Sequence, residues 1–350
     1  MENFSIKYYS LKKLMDTVDY LSLSNNQTKI YHDTCLALAA YAQASSAFHA
    51  FAGWMYFKKV GAREYLFHAV DRQNNGKSMG VRSMETEAIH KKWLEDKAAA
   101  KQVTADAQQS IEEQSAMAKA IKLGRFPQIA AKVLRFLEND GVATHFMVIG
   151  TNALYAYEAM AGVQFVSDLT ATKDFDLLWD SRQRIVMLAH TPDGADHGLM
   201  GLLKRVDKSF TRNTERTFQA INSKGFAIEV LRPLEPVEPP LLADGDCLVP
   251  MHLAGLDMLL SVPEASEIVI AMDGFPLRIR VPDPAAYVLH KLWVADRPDR
   301  RPDKARRDRR QAMAVARLIR EQLPAYGFDV DRIQNFPAPL LDYLDQVSGL

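Results

Sequence analysis

Three acidic residues define the chemistry this 350-residue chain could perform. Asp174 and Asp176 stand in the run DFDLLW, and Glu229 stands in FAIEVL. Side chains alternate along a strand, so a strand over Asp174–Trp179 turns both aspartates to one face. Two carboxylates side by side repel unless a cation lies between them. Hard cations such as Mg²⁺ take oxygen ligands, commonly one or two carboxylates together with substrate phosphates. Glu229 lies amid apolar residues on an expected neighbouring strand, where an unpaired charge is strongly destabilising. A third metal-facing carboxylate accounts for it.

Gly150-Thr151-Asn152 stands ahead of these residues, after an apolar strand at His145–Ile149 and at the start of a helix from about Asn152 to Ala161. A small residue at such a turn lets phosphate approach backbone N–H groups and the positive helix end. Thr151 adds a hydroxyl. Together the parts suit in-line displacement at a nucleotide α-phosphate, with two metals stabilising the attacking and leaving oxygens.

The elements that must position these residues form an α/β stretch in the middle of the chain. Pro127 marks its boundary, followed by a helix through Ile129–Asn139 that ends at Gly141. After the aspartate strand come a helix around Leu199–Ser209 and a β-pair, Arg216–Asn222 with Phe226–Leu231. Pro-rich sequence at Pro233–Pro240 closes the block. Before it, residues 30–53 are Ala-rich and lack Pro, which favours helix. Trp54–Ala69 alternates around Gly61 like a β-hairpin, and Asn74–Gly80 reads as a turn. Ser83, followed by Glu85 and Glu87, suits the start of a long polar helix to about Leu123. After the central block, Glu267–Val281 reads as a hairpin turning at Asp273–Gly274, and helices fill the rest. The expected organisation is α+β. A mainly helical accessory domain with a small hairpin covers 1–125, an α/β core covers 126–250, and a hairpin with a helical domain covers 251–350.

The ordered trio of a Gly-Thr turn, an Asp-x-Asp strand and a later carboxylate strand resembles the DNA polymerase β-like nucleotidyltransferase superfamily. The wide spacing between Gly150-Thr151 and Asp174 is similar to minimal and AbiEii-type bacterial nucleotidyltransferases. The whole chain, with its GKSMGVRSMETE segment (Gly76–Glu87), looks like bacterial proteins of the NTP_transf_8 type. The resemblance implies a polymerase β-like mixed-sheet core with helical N- and C-terminal extensions, and transfer of an NMP from an NTP to an acceptor hydroxyl. It implies Mg²⁺ or Mn²⁺ held by Asp174, Asp176 and Glu229, with phosphates seated at Gly150, Thr151 and Asn152. By the same resemblance Lys291, in the run Val288-Leu289-His290-Lys291-Leu292, and Lys304 lie near the triphosphate. The family's association with toxin–antitoxin and defence modules implies tRNA or a protein as acceptor. A non-catalytic nucleotide- or RNA-binding regulator is the alternative on the same fold. A structural protein assembling through the long helix is a third.

Several basic features carry two readings each. Lys291 is either a phosphate ligand or a surface lysine. Lys304 and Asp308, one helical turn apart, suit a surface ion pair. Lys204, Arg205 and Lys208 suit a solvated helix face, and Lys173 should point away from Asp174. Phe51–Gly80 interleaves Lys58, Lys59, Arg63, Arg72 and Lys77 with aromatics, a pattern of nucleic-acid binding or of a packed hairpin with a charged outer face. Asp296–Arg310 holds seven Arg and Lys304 against four Asp, which would hold RNA or pair within itself.

Composition narrows the classes. Apolar residues make up 48% and charged residues 25%, with 43 Lys plus Arg balancing 43 Asp plus Glu. This excludes wholesale disorder and a uniformly basic nucleic-acid coat. Two cysteines, Cys35 and Cys247, exclude a disulfide framework or a Cys-rich zinc site and fit a cytoplasmic setting. No apolar run is long enough to span a membrane, and MENFSIKYYSLKK lacks a signal core.

Overall fold

A computed structural model describes residues 19–70, 76–180, 198–234 and 248–347. Cys247, Arg72, the MENFSIKYYSLKK segment and the prolines at 236–240 lie outside the described residues. The chain divides into two compact units. The larger takes the chain up to Thr28, then 124–272 and 277–350; the smaller takes Lys29–Leu123 and Asp273–Pro276.

The smaller unit carries most of a 25-residue helix, Asn25–His49, and a 37-residue helix, Met84–Ala120. Between them stands an antiparallel three-stranded sheet of Trp54–Val60, Arg63–Ala69 and Lys77–Val81. The expected turn over Asn74–Gly80 is corrected at its second half, because Lys77–Val81 pairs with the strand before it. The long helix starts as its sequence requires. The Thr86 N–H donates to Ser83 Oγ at 3.3 Å, and the Ser83 N–H donates to Thr86 Oγ1 at 2.8 Å. Each bond satisfies a donor that the helix start leaves open. Lys58, Lys59 and Arg63 are exposed, while Tyr56 and Phe67 stack with ring centres 5.9 Å apart.

The larger unit is built on a mixed sheet. Its centre is the aspartate strand, Asp174–Trp179, running antiparallel to Phe146–Val148 and parallel to the glutamate strand, Ala227–Pro233. Gln219–Ile221 and then Thr211–Arg212 extend the sheet, and Met251–Leu253 also pairs with the glutamate strand. The two faces of this sheet differ in kind. Phe175, Leu177, Ile228 and Val230 point into the main core with Leu154, Tyr157 and Leu203. On the opposite face a smaller apolar cluster joins Met147, Ile149, Leu178, Leu231 and Leu259, and beside it stand the acidic residues.

Helices surround the sheet. Leu154–Ala161 is apolar and ends at Gly162, whose φ of 64° supplies the left-handed cap. Pro284–Ala295 is capped by Asp283, which accepts from the N–H groups of Ala285 and Ala286 at 2.8 and 3.2 Å. Pro302–Gln322 packs along it, the most extensive helix pairing in the unit. The expected hairpin at the start of the last hundred residues is present as Glu264–Ile270 and Pro276–Pro282. Two short strands without sequence signal, Tyr20–Ser22 and Val163–Phe165, pair antiparallel. Among the described residues no helix is long and apolar enough to cross a membrane.

Candidate active site

The register of two parallel strands brings the acidic residues together. Asp176 lies opposite Glu229 and Asp174 opposite Ala227. Neighbouring strands lie about 4.8 Å apart and alternate residues along a strand roughly 6.6 Å apart. The three acidic residues therefore share one face of two adjacent strands, each partly accessible.

Their hydrogen-bond partners are neutral. The Thr172 hydroxyl donates to Asp174 Oδ1, and Gln219 Nε2 donates to Glu229 Oε1 at 2.6 Å. Among the described residues no Lys or Arg forms an ion pair with any of the three. Burial pushes the Asp176 pKa up to about 7, and the negative charges of Asp174 and Glu229 add to the rise against the pull of Lys291 and Lys304. Glu229 is also raised, first by burial and then by Asp174, with the Gln219 hydrogen bond and Lys304 opposing.

Gly150 closes the site from the neighbouring strand end. Its φ is +65°, and a β-carbon there would lie 2.2 Å from Asp176 Oδ2. A side chain at this position would displace the carboxyl, so glycine is required both for backbone conformation and for close approach.

The two residues after it face inward. Asn152 is fully buried and donates from Nδ2 to the Asp174 carbonyl oxygen at 2.9 Å. Thr151 Oγ1 accepts from Arg307 Nη2 at 3.3 Å and Gln311 Nε2 at 3.2 Å. Arg307 and Gln311 also donate to the carbonyls of Ala171 and Leu169. The helix Pro302–Gln322 thus braces both the glycine turn and the loop that leads into the aspartate strand. No feature of the local sequence marks these two residues; their role exists only across about 150 positions of chain separation.

Lys291 is a partly buried lysine rather than a surface one. Its Nζ lies 2.7 Å from Asp308 Oδ1, with the two side chains 12% and 3% exposed. Arg300 donates from Nε to the other oxygen at 2.8 Å. The expected Lys304–Asp308 pair is therefore corrected: Asp308 turns inward to Lys291 and Arg300, and Lys304 is exposed. Both lysines still act on Asp176 through their charge. The Arg-rich segment pairs largely within itself, through Arg297 with Asp299, Arg301 with Asp303 and Arg309 with Asp296. The helix expected around Leu199–Ser209 ends at Val206, so Lys208 lies beyond it; Arg205 pairs with Asp140 at 2.8 Å.

The donor set on this face suits a hard divalent cation: three carboxylates, burial and neighbouring negative charge that together raise Asp176, and a glycine cradle against one oxygen. Among the described residues, no three His, Cys, Asp or Glu side chains are gathered into a group that could hold a metal as they stand. Thr172 and Gln219 hold two of the three carboxylates in their present positions.

A family profile described as Nucleotidyltransferase, NTP_transf_8, matches residues 128–332. That span covers more than half of the 350 residues and contains every residue of the site. No curated protein and no solved structure matches the chain.

Proposed function

The chain belongs to the NTP_transf_8 nucleotidyltransferase family, and on that premise we propose that it transfers an NMP from an NTP to a hydroxyl on RNA, with tRNA as the first candidate, or on a protein. One observation carries the reading: three carboxylates share one sheet face, two of them with neutral hydrogen-bond partners and none in an ion pair among the described residues. A fold gains nothing from gathering like charges there, whereas a metal-dependent phosphoryl site requires it.

In this reading Asp174, Asp176 and Glu229 would hold Mg²⁺ or Mn²⁺, which would supply charge neutralisation of the attacking and leaving oxygens. Asp174 and Glu229 would give up their bonds to Thr172 and Gln219 for that role. A bound cation would favour the ionised form of Asp176 against the burial and the neighbouring carboxylates that raise its pKa. Glu229 would take the proton from the acceptor hydroxyl as its oxygen bonds to the α-phosphorus and the bond to the departing pyrophosphate breaks. Gly150 admits a phosphate oxygen beside Asp176. Thr151 and Asn152 hold the turn in place, and any contact of theirs with phosphate goes through the backbone. Lys291, steadied by Asp308, and the exposed Lys304 direct positive charge toward the triphosphate.

We further infer kinship with the AbiEii-type branch, a toxin–antitoxin or defence role, and a reducing cytoplasm as its place of action, the last consistent with two cysteines in the sequence. In functional terms, residues 1–125 select the acceptor, 126–250 do the chemistry, and 251–350 brace it. The test is incubation with each of four α-labelled NTPs, Mg²⁺ or Mn²⁺, and total cell lysate. Label entering RNA or protein with one or more NTPs is expected. Metal-dependent NTP binding without label transfer from any of the four would favour the non-catalytic regulator.

A further inference from the structure

A second cleft, on the other side of the aspartate strand's first residue, has the character of a binding site. It encloses about 440 Å³ and is lined by Lys132, Lys173 and Lys224 together with Asp207, Asn222 and Phe226. The three lysines come from three elements. Lys132 lies in the Gln128–Asn139 helix, Lys173 directly precedes the aspartate strand, and Lys224 sits in the turn between Gln219–Ile221 and Ala227–Pro233. All three are exposed, and none forms an ion pair among the described residues. The single carboxylate, Asp207, is already occupied by the N–H and hydroxyl of Ser209 at 2.9 and 2.7 Å and by Asn222 Nδ2 at 3.2 Å.

Two further features add to the lysines. Gln128, the first residue of its helix, lines the cleft, and that helix has no acidic residue in its first turn. Its open N–H groups and positive end favour an anion. Phe226 places a half-buried aromatic ring in the wall, a surface on which a base can stack. Excess positive charge with one aromatic face is the chemistry of a nucleic-acid groove rather than of an isolated phosphate site.

We propose that this cleft binds the single-stranded end of a nucleic-acid acceptor, with phosphates on Lys132, Lys173 and Lys224 and a base against Phe226. The proposal rests on the nucleotidyltransferase reading above. Its position supports that use. Lys173 immediately precedes Asp174 and continues its pairing, its carbonyl accepting from the Ala227 N–H at 2.8 Å, so the two neighbours turn to opposite faces. A chain held in the cleft needs only to pass the end of that strand to reach the carboxylates. A flexible single strand can make that turn, whereas a duplex, stiff over about 50 nm, cannot.

The experiment uses the full chain, a fluorescent single-stranded RNA twelve nucleotides long, and anisotropy titration over a series of salt concentrations. Lys132→Gln, Lys173→Gln and Lys224→Gln are combined, and circular dichroism confirms folding; the three single variants serve if the combination is unstable. The RNA affinity is expected to fall at least tenfold. The slope of log K against log salt should become shallower by about 2, the loss of three phosphate contacts on a single strand. Unchanged affinity and slope would overturn the proposal, as would absence of RNA binding by the unaltered chain. Displacement of RNA by poly-glutamate of equal charge at equal concentration would also overturn it, because the cleft would then read charge alone and suit an acidic protein. Mg²⁺-dependent NTP binding is measured on the same samples. Lysine-dependent RNA binding without any NTP binding would uphold this cleft while removing the nucleotidyltransferase reading.

Discussion

The larger unit treats its buried carboxylates in two ways. Glu158 accepts from Arg125 at 2.5 Å, Asp308 is held by Lys291 and Arg300, Asp283 meets Arg332, and Asp19 lies 3.7 Å from Arg317. At the sheet face the same unit sets Asp174, Asp176 and Glu229 side by side with a threonine and a glutamine as partners. In the function proposed above, the first arrangement holds the fold and the second is kept for a ligand. In the first group, removing an acid strands a buried cation. In the second, removing an acid relieves repulsion.

That distinction is easiest to break at Asp176. Asp176→Asn should lower NMP transfer roughly a thousandfold, the loss of about 4 kcal/mol of transition-state stabilisation. It should also leave the protein more stable. With its folded pKa raised from 3.8 to about 7, Asp176 costs no stability below pH 3.8 and progressively more as pH rises toward 7, where the folded state resists ionisation. The stability margin of Asp176→Asn over the unaltered chain should therefore be absent near pH 3.5 and grow up to pH 7. Urea unfolding across that range checks the sign.

The paired group should behave oppositely. Asp308→Ala leaves Lys291 and Arg300 without their shared acceptor, and should destabilise by about 3–5 kcal/mol. A denaturation midpoint equal to that of the unaltered chain would erase the contrast.

Gly150→Ala should show an intermediate effect. The added β-carbon meets Asp176 Oδ2 and the residue is held at positive φ, a backbone cost of about 1–3 kcal/mol. Metal affinity should fall with stability, measured together by calorimetry. Thr151→Val should have the smallest effect. It removes the acceptor for Arg307 and Gln311, costing about 1–3 kcal/mol as buried donors lose a partner. Both donors keep a backbone carbonyl, so the low end is expected, with little change in KM for NTP.

The aspartate strand was readable because a period of two with Phe175 and Leu177 inward leaves Asp174 and Asp176 no other face. The Ser83 helix start was readable because its cap is local. Lys77–Val81 was not, since Asn74, Asn75 and Gly76 punctuate the chain while strand partners at Tyr65–His68 are chosen by tertiary pairing. Tyr20–Ser22 fails for the same reason, its partner lying more than 140 residues away. Lys304 and Asp308 satisfied the rule for helix neighbours, yet Asp308 follows the buried side of its helix and takes Lys291 instead. The sequence around Thr151 suggests a phosphate-facing hydroxyl, and nothing near it announces that Arg307 and Gln311 bond to it. Order of motifs along a chain is visible locally; which polar groups already have partners is not.

Mn²⁺ binding followed by electron paramagnetic resonance tests most directly whether the acidic face is a metal site. The unaltered chain should take up Mn²⁺ at pH 7.5, release protons as it does so, and bind it more tightly when NTP is present. Asp176→Asn should lose that uptake while remaining folded. Equal Mn²⁺ uptake by the two proteins would contradict the account and leave the three carboxylates without the role assigned to them.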